Sequence, residues 1–413
     1  MARIAGKNQQ KEQSVYRKDE WMMDGYWTWG RRGIRCAAIG VGISLFPFPA
    51  MAQQSPEFAY SAEKWAALRD DRLEYEEIAD LVHEYNNTVL QNAIDFQDQK
   101  DKDRNDVAED YYNTANDIYN SIQYPSSDDS DYGSRMASVL NSRLQAEQLM
   151  EQGDESTEDS ETVKIGYDQA EANLVKQAQG MMIDYWSQYY SLDSLRQRKQ
   201  QAEKDYQSEE NRLGAGMSTQ AKVLTAREAI SSAEASLLTA ESNLTKTKDS
   251  LCLMLGWQYG SNVEMGELPE PDFQWMEGIN VEEDIQKAWE NNYNLRLTQK
   301  RLANARTDKV KNTLEQTRKN QRESIAVHVK DSYSTMILAR SNYEQALQAF
   351  EMAKTSMDSA RRKLDAGIIT PNAFQSEQSS YETAQVATQT QKAALLKAMV
   401  NYQWAVDGLA ETS

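Results

Sequence analysis

The chain has 413 residues, of which 40% are hydrophobic, and its mean hydropathy is -0.77. A composition this polar excludes a bundle of membrane helices, although it suits thin, extended helical packing. The formal net charge of -19 argues against nucleic acid as a partner, because neutralising phosphates requires a basic face. Two cysteines and two histidines exclude a disulfide framework and argue against a structural metal site.

Residues 1–52 have the features of an export signal. A basic segment, 31–35, precedes an apolar stretch, 36–49, and the sequence Ala-Met-Ala follows at 50–52. A positive flank, a short apolar core and a small-residue ending are the three parts of a secretory signal. The alternative is an uncleaved membrane anchor, although the apolar core is short for a spanning helix. We therefore predict an exported chain.

The next part of the chain, 60–256, is predicted to form a first helical repeat. No proline lies between Pro125 and Pro269, and the stretch is rich in Ala, Gln, Glu, Lys and Leu, which favour helix. The pattern predicts helices over 165–213 and 219–255, about 75 Å and 55 Å long at ~1.5 Å per residue. A glycine at the break between them suits the left-handed conformation that closes a helical hairpin.

The chain then repeats itself. The segment 212–219, Arg-Leu-Gly-Ala-Gly-Met-Ser-Thr, reappears at 363–370 as Lys-Leu-Asp-Ala-Gly-Ile-Ile-Thr. A Pro/Gly-rich linker, 257–279, separates the repeats, and residues 280–410 form the second one. Self-similarity of this kind predicts two copies of one structural unit.

The returning helix of each repeat carries a heptad pattern, which requires a neighbouring helix and knobs-into-holes packing. Small residues flank the pattern, as expected when one helix has neighbours on two sides, as in a barrel wall of helices. The alternative is an ordinary coiled-coil rod. The first row is Val223, Ala226, Ile230, Ala233, Leu237, Ala240, Leu244, Thr247 and Leu251, and the second is Phe374, Glu377, Tyr381, Ala384, Thr388, Gln391, Leu395, Ala398 and Tyr402.

These features resemble the TolC family of outer-membrane efflux proteins. The resemblance consists of a long helix ending in R-L-x-x-G, an Ala-rich returning helix, and Leu-Gly-Trp at 255–257. The second repeat opens with Ala-Trp-Glu-Asn-Asn-Tyr-Asn-Leu at 288–295, and a fainter copy of this opening lies at 81–89. The resemblance covers residues 60 to 410. It implies an all-α fold of long antiparallel coiled-coil hairpins, and a homotrimer whose repeats assemble a TolC-like α-barrel of twelve helices.

The resemblance also implies that the two glycine turns form the tip of the barrel and dock onto a periplasmic adaptor (membrane fusion) protein. Small residues leave the backbone of these turns accessible to a partner helix, and the apolar side chains in the turns can pack against that helix. The alternative is that these glycines only cap helices. The candidate docking residues are Gly214, Ala215, Gly216, Met217 and Ser218 in the first turn, and Asp365, Ala366, Gly367, Ile368 and Ile369 in the second.

The sequence departs from the family in two ways. Family members often carry an acid six residues after the tip glycine, whereas this chain has Lys222 and Ala373, so a selectivity ring at that level is not expected. Where the family inserts membrane strands, this chain has acidic, serine-rich segments at 125–131 and 151–162, which we expect to be loops. The polar stretch 307–324 is expected to be a turn or a solvated helix. We therefore predict that the membrane β-barrel is absent or vestigial.

We find no phosphate loop, nucleophile elbow or metal-spaced His/Cys cluster, so neither enzymatic activity nor a cofactor is expected. The function we predict is a duct subunit of an efflux or secretion system that works with an adaptor and an ABC or RND-type inner-membrane transporter. It would lie in the cell envelope: in the outer membrane if the family pattern holds, otherwise outside the cytoplasm without a membrane-spanning barrel. The alternative is an exported coiled-coil scaffold or adaptor protein without a pore.

Overall fold

The computed structural model describes residues 55–56, 58–99, 106–157 and 160–412. The predicted export signal at 1–52 therefore lies outside the described residues. Within them, no helix is long and apolar enough to cross a membrane.

Six helices and strands, together with one turn of 3-10 helix at Tyr75–Glu77, open the described chain. Ser61 begins the first helix because its hydroxyl accepts a hydrogen bond from the Lys64 backbone N–H, which satisfies an otherwise unpaired donor. The elements are α1 (Ala62–Leu68), β1 (Arg72–Leu73), α2 (Ile78–Tyr85), α3 (Asn87–Gln99), α4 (Asp106–Ser121) and α5 (Tyr132–Ser156).

Two pairs of long helices follow, and they dominate the fold. The first pair is α6 (Ser160–Gly214) and α7 (Gln220–Met254), so the predicted helices over 165–213 and 219–255 are confirmed. The second pair is α11 (Asp308–Asp365) and α12 (Pro371–Trp404). The 55 residues of α6 correspond to about 80 Å at ~1.5 Å per residue.

The segment between the two pairs contains short elements: β2 (Glu264–Met265), α8 (Phe273–Glu277), α9 (Val281–Asn291) and α10 (Tyr293–Asn304). Strand β2 pairs in parallel with β1, with Arg72 opposite Glu264 and Leu73 opposite Met265. This two-stranded sheet ties the segment after α7 to the start of the described chain.

The four long helices lie side by side in the order α7–α6–α12–α11. Helices α6 and α12 run antiparallel: Trp404 Nε1 donates to Gln179 Oε1 (2.8 Å), Lys397 Nζ binds the Asp184 carboxylate (2.7 and 2.8 Å), and Gln375 Nε2 donates to Gln201 Oε1 (3.1 Å). As residue numbers rise along α6, those of the bonded partners fall along α12. The C-terminal end of α6 and the N-terminal end of α12 therefore lie at the same end of this layer.

Burial on the returning helices follows the predicted heptads. Every member of the row on α7 is buried or half-buried, and so is every member of the row on α12 except the exposed Glu377. Helix α7 packs on α6, and α12 packs on both α11 and α6. The 3.5-residue period therefore marks the seams of the layer, as knobs-into-holes packing requires.

Two hydrophobic cores form where the short elements cover the long pairs. In the first core, Leu81 and Val82 of α2 pack with Met182 of α6 and with Leu251 of α7. In the second, α9 and α10 bury Ile285 and Leu295 against α11 and α12, with Met336 and Tyr402 completely buried. Each pair of long helices thus carries its own core, at the end of the pair remote from its tight turn.

One of the two predicted acidic loops, 151–162, is largely helical, which corrects that expectation, whereas the other, 125–131, is a loop as predicted. Most of 151–162 belongs to the end of α5 and the start of α6, and 125–131 is part of the turn between α4 and α5, which pack together as a hairpin. The polar stretch 307–324 is not a turn between helices but, from Asp308 on, the first part of α11. Polar residues can form solvated helix without a buried face, so composition alone did not distinguish helix from loop.

Candidate docking turns at the ends of the long helices

The first candidate turn closes the hairpin of α6 and α7. Gly216 has a φ of +73°, a conformation that costs a residue with a Cβ about 1–2 kcal/mol. The Gly216 N–H donates to the Leu213 carbonyl (2.9 Å) and the Met217 N–H to the Arg212 carbonyl (2.7 Å). These bonds satisfy the last carbonyls of α6, as in a Schellman cap. Thr219 then starts α7, where its hydroxyl accepts from the Lys222 N–H.

The second candidate turn has the same geometry. Gly367 has a φ of +70°, its N–H donates to the Leu364 carbonyl (2.9 Å), and the Ile368 N–H donates to the Lys363 carbonyl (2.8 Å). Thr370 caps α12 by accepting from the Ala373 N–H, and Pro371 occupies the first helical position, where its missing N–H costs nothing. The duplicated sequence therefore encodes a duplicated turn.

Both turns present open backbone and apolar side chains to their surroundings. A Cβ placed on Gly214, Gly216 or Gly367 would meet no atom within 4 Å. The side chains of Met217 and Ile368 are 66% and 72% exposed. Because α6 and α12 are antiparallel, the two turns share one end of the layer, so the structure brings the ten candidate residues to the same end.

The two turns differ in charge. In the first, Ser218 Oγ and Arg212 Nη1 both donate to the carboxylate of Glu209. The bond from Ser218 is the main reason why the pKa of Glu209 lies below its usual value, and the positive charge of Arg212 adds to the effect. At the equivalent positions the second turn has Ala360 and Ile369. The first turn therefore has a carboxylate bonded to its own serine and arginine, which the second turn lacks.

The outer helices of the layer, α7 and α11, carry exposed apolar side chains. On α7, Leu238 is 69% exposed, and on α11, Leu338 and Met352 are 62% and 66% exposed. Leu224 and Val327 are exposed on the same two helices. These side chains give each outer helix apolar surface that a further helix could contact.

At the end of each hairpin opposite its tight turn, a hydrogen-bonded asparagine joins two distant segments. The sequence analysis did not predict these two asparagines as structural contacts. Asn86 Nδ2 donates to the Met254 carbonyl (2.8 Å), and Asn292 Nδ2 donates to the carbonyls of Gly408 (3.0 Å) and Ala410 (2.8 Å). Each asparagine thus ties the helix kink that opens a repeat to the end of that repeat's returning helix. The signal in the sequence was the Asn-Asn pair, which occurs at 86–87 and again at 291–292. The family resemblance included both pairs but assigned them no role.

Searches of protein-family models and of curated proteins find no match to this chain. Solved structures do match. A membrane protein from Pseudomonas aeruginosa is 12% identical over 81% of this chain and 90% of that chain, with a TM-score of 0.53. The outer membrane protein VceC from Vibrio cholerae is 12% identical over 85% of this chain and 100% of that chain, with a TM-score of 0.47. The Campylobacter jejuni CmeC outer membrane channel is 11% identical over 84% of this chain and 88% of that chain, with a TM-score of 0.44.

The first of these structures has a TM-score above 0.5, and it shows that the two chains share a fold. The predicted all-α fold of long helical hairpins is therefore confirmed. At 12% identity the likeness concerns the fold alone.

Proposed function

We propose that this chain is a duct subunit of an efflux or secretion system in the cell envelope. The observation that carries the proposal is the open layer of four long helices, whose outer members α7 and α11 expose apolar side chains. A helical layer one helix thick leaves such edges without a partner unless it associates with further helices. The P. aeruginosa membrane protein of the same fold supports an envelope location.

The two edges of the layer belong to different helices, which favours a ring. An association that joins α7 of one copy to α11 of the next is heterologous, and heterologous contacts close into rings when the rotation allows it. Three copies of four long helices would give the twelve-helix wall that the family resemblance implies. Cargo then passes through the wall's interior without needing a binding site on it.

The two turns at one end of this ring are the proposed docking site for a periplasmic adaptor and, through it, an inner-membrane transporter. Residues 214–218 and 365–369 combine exposed backbone with the apolar side chains of Met217, Ile368 and Ile369, which suits the close approach of a partner helix. The cap role of Gly216 and Gly367 is compatible with this proposal, because capping leaves their outer faces open.

The test is the mass and shape of the purified full chain in detergent. We expect a mass three times that of one chain, and a hollow cylinder in negative-stain images. Leu238→Glu on α7 and Leu338→Glu on α11 should each reduce the trimer fraction, because a buried, unpaired carboxylate opposes association. Leu140→Glu on α5, also an exposed leucine, is the matched control and should leave the trimer intact.

A monomer, or a solid two-stranded rod, would contradict the duct and favour an exported scaffold or adaptor without a pore. Loss of the trimer in Leu140→Glu to the same extent as in Leu238→Glu would also count against the proposed edges.

A further inference from the structure

A pocket of about 300 Å³ lies between α6, α12 and the segment that follows β2. It is at the small end of the ~300–1,000 Å³ range of small-molecule sites. Trp186 and Tyr190 of α6 form one side, Lys392 and Leu396 of α12 form the other, and Glu267 and Glu270 come from the connecting segment. It adjoins a larger groove of about 680 Å³ between α6 and α12, which Tyr190 and Gln389 also line.

The aromatic side of the pocket is held in place. The rings of Trp186 and Tyr190 have centroids 5.6 Å apart and planes inclined by 32°. The indole N–H of Trp186 donates to the Gly266 carbonyl (2.9 Å), so the connecting segment fixes the ring. Because that N–H is already used, Trp186 has only its aromatic ring left to contact a ligand, and the faces of such a ring carry the negative side of the aromatic quadrupole.

The charged side of the pocket is net negative. Lys392 pairs with Glu270 across the pocket, and these two charges offset one another. Within the described part of the chain, Glu267 forms no hydrogen bond or ion pair. Burial raises the pKa of the Tyr190 phenol, and the nearby charges of Glu267 and Glu270 raise that pKa further, so both carboxylates lie close to the aromatic wall.

We propose that this pocket binds an organic monocation that has an apolar body, such as a benzyltrimethylammonium ion. The faces of Trp186 and Tyr190 attract a cation by the cation–π interaction, most strongly in a partly desolvated site. The unpaired carboxylate of Glu267 supplies the opposite charge, and Leu396 with its buried neighbour Ala393 receives the apolar body. An anion is disfavoured by the two carboxylates. This site goes beyond the duct role, which needs no ligand in its wall.

The test uses the purified full chain, with benzyltrimethylammonium as the probe and isothermal titration calorimetry as the readout. The neutral alcohol 2-methyl-1-phenylpropan-2-ol, similar in shape, is the comparison ligand. We expect the cation to bind at least about fivefold more tightly than the alcohol, since cation–π attraction and one opposite charge both act on it alone.

Two pairs of variants locate the site. Glu267→Gln should weaken binding of the cation about fivefold, whereas Glu264→Gln, an exposed carboxylate outside the pocket, should not change it. Tyr190→Leu should weaken binding by a similar factor, while Tyr190→Phe retains an aromatic face and should bind nearly as well as the parent chain.

The proposal is overturned if the neutral alcohol binds as tightly as the cation, or if no binding of the cation is measurable at millimolar concentration. It is also overturned if Glu264→Gln weakens binding as much as Glu267→Gln, since the chain's overall negative charge would then explain the attraction. Circular dichroism of each variant distinguishes loss of the site from loss of the fold, and Glu267→Gln tests the charge should Tyr190→Leu fail to fold. Failure here leaves the duct proposal intact, because ring formation is measured separately.

Discussion

The side chain of Asn292 is hydrogen-bonded to the carbonyl oxygen of Gly408, 116 positions further along the chain. Asn292 is completely buried, and its Oδ1 also accepts from the Leu295 N–H (3.0 Å), which caps α10. One amide therefore holds the kink between α9 and α10 to the segment that follows α12. Asn86 does the same in the first repeat, where its Oδ1 accepts from the N–H of Thr88 (2.9 Å).

Replacement of this amide should strongly destabilise the second repeat. Asn292→Ala leaves a buried N–H and two carbonyls without their partner, and we expect a loss on the order of 3 kcal/mol in the free energy of unfolding. Asn141→Ala, at an exposed asparagine inside α5, is the control and should cost less than about 0.5 kcal/mol. Urea unfolding followed by circular dichroism measures both. Equal losses would show that the buried bonds to Gly408 and Ala410 contribute little.

Gly408, whose carbonyl accepts the hydrogen bond from Asn292, is constrained by its backbone conformation and by a close backbone neighbour. Gly408 has a φ of +121°, and a Cβ there would lie 2.7 Å from the Asn291 carbonyl oxygen. Gly260 also has a positive φ, +77°, but a Cβ on it would meet nothing within 4 Å. We expect Gly260→Ala to cost about 1–2 kcal/mol from backbone conformation alone. Gly408→Ala should cost clearly more, because a steric clash with backbone is added. If the two thermal melting curves shift equally, the close packing of Gly408 on Asn291 is wrong.

A single carboxylate joins the α4–α5 hairpin to the start of α11. Asp154 accepts hydrogen bonds from the N–H of Arg306 (2.8 Å), from the N–H and hydroxyl of Thr307 (2.8 and 2.7 Å), and from the Tyr112 hydroxyl (2.8 Å). Burial raises the pKa of the Asp154 carboxyl, but the hydrogen bonds outweigh it, chiefly those from Thr307, so the pKa is lowered. A carboxylate near the first turn of a helix is also favoured by the helix dipole.

Asp154→Ala should therefore lower the free energy of unfolding by about 2 kcal/mol at neutral pH. Because the folded pKa is depressed, the contribution is present above the unfolded pKa of about 3.9 and is lost as pH falls through the folded value. The difference between parent and Asp154→Ala should be constant from about pH 7 to pH 5 and shrink below about pH 4. Asp168→Ala, which removes a surface pair with Lys164, should cost less than about 1 kcal/mol throughout. If the difference in the free energy of unfolding between the parent chain and Asp154→Ala grows as the pH falls, the lowered pKa of Asp154 is wrong.

In the candidate docking turns, one substitution should weaken adaptor binding without lowering the stability of the fold. Gly214 is the last residue of α6, and an added Cβ would meet nothing within this chain. Gly214→Ala should raise the free energy of unfolding by a few tenths of a kcal/mol, yet weaken binding to the adaptor of the chain's own export system, because the new methyl group blocks a partner helix. Gly133→Ala in α5 is equally open. It should give a similar gain and leave adaptor binding unchanged, as measured by surface plasmon resonance. Unchanged binding by Gly214→Ala would remove this residue from the docking site.

The long helices and their turns could be predicted from the sequence because they depend on local rules. Heptad spacing fixes the seam of a returning helix, and glycine fixes a left-handed cap, so 216 and 367 marked both turns. The pattern could not reveal contacts between distant residues. Nothing near Asp154 in the sequence indicates that it caps α11, about 150 residues away, and nothing near Gly408 indicates its approach to Asn291.

Only one of the acidic segments was misjudged, and for a related reason: 125–131 is the predicted loop, whereas 151–162 is largely helical. Residues 151–162 are rich in Asp, Glu and Ser, which favour loops and caps, but α4 and α5 pack together and bury Tyr112 and Ala146 between polar surfaces. A narrow apolar contact of this kind is sufficient to hold a helical hairpin, yet it is too sparse to stand out in a polar sequence.

The central claim is that copies of this chain join edge to edge, with α7 of one against α11 of the next. The most direct test places a photo-reactive amino acid at Leu238 in the full chain and analyses the products in a mixture of ¹⁴N- and ¹⁵N-labelled protein by mass spectrometry. The account predicts mixed-isotope cross-links from position 238 to α11 residues, and cross-linked products that do not exceed three copies. Mixed-isotope cross-links from α7 to α7, or the absence of mixed-isotope products, would contradict it.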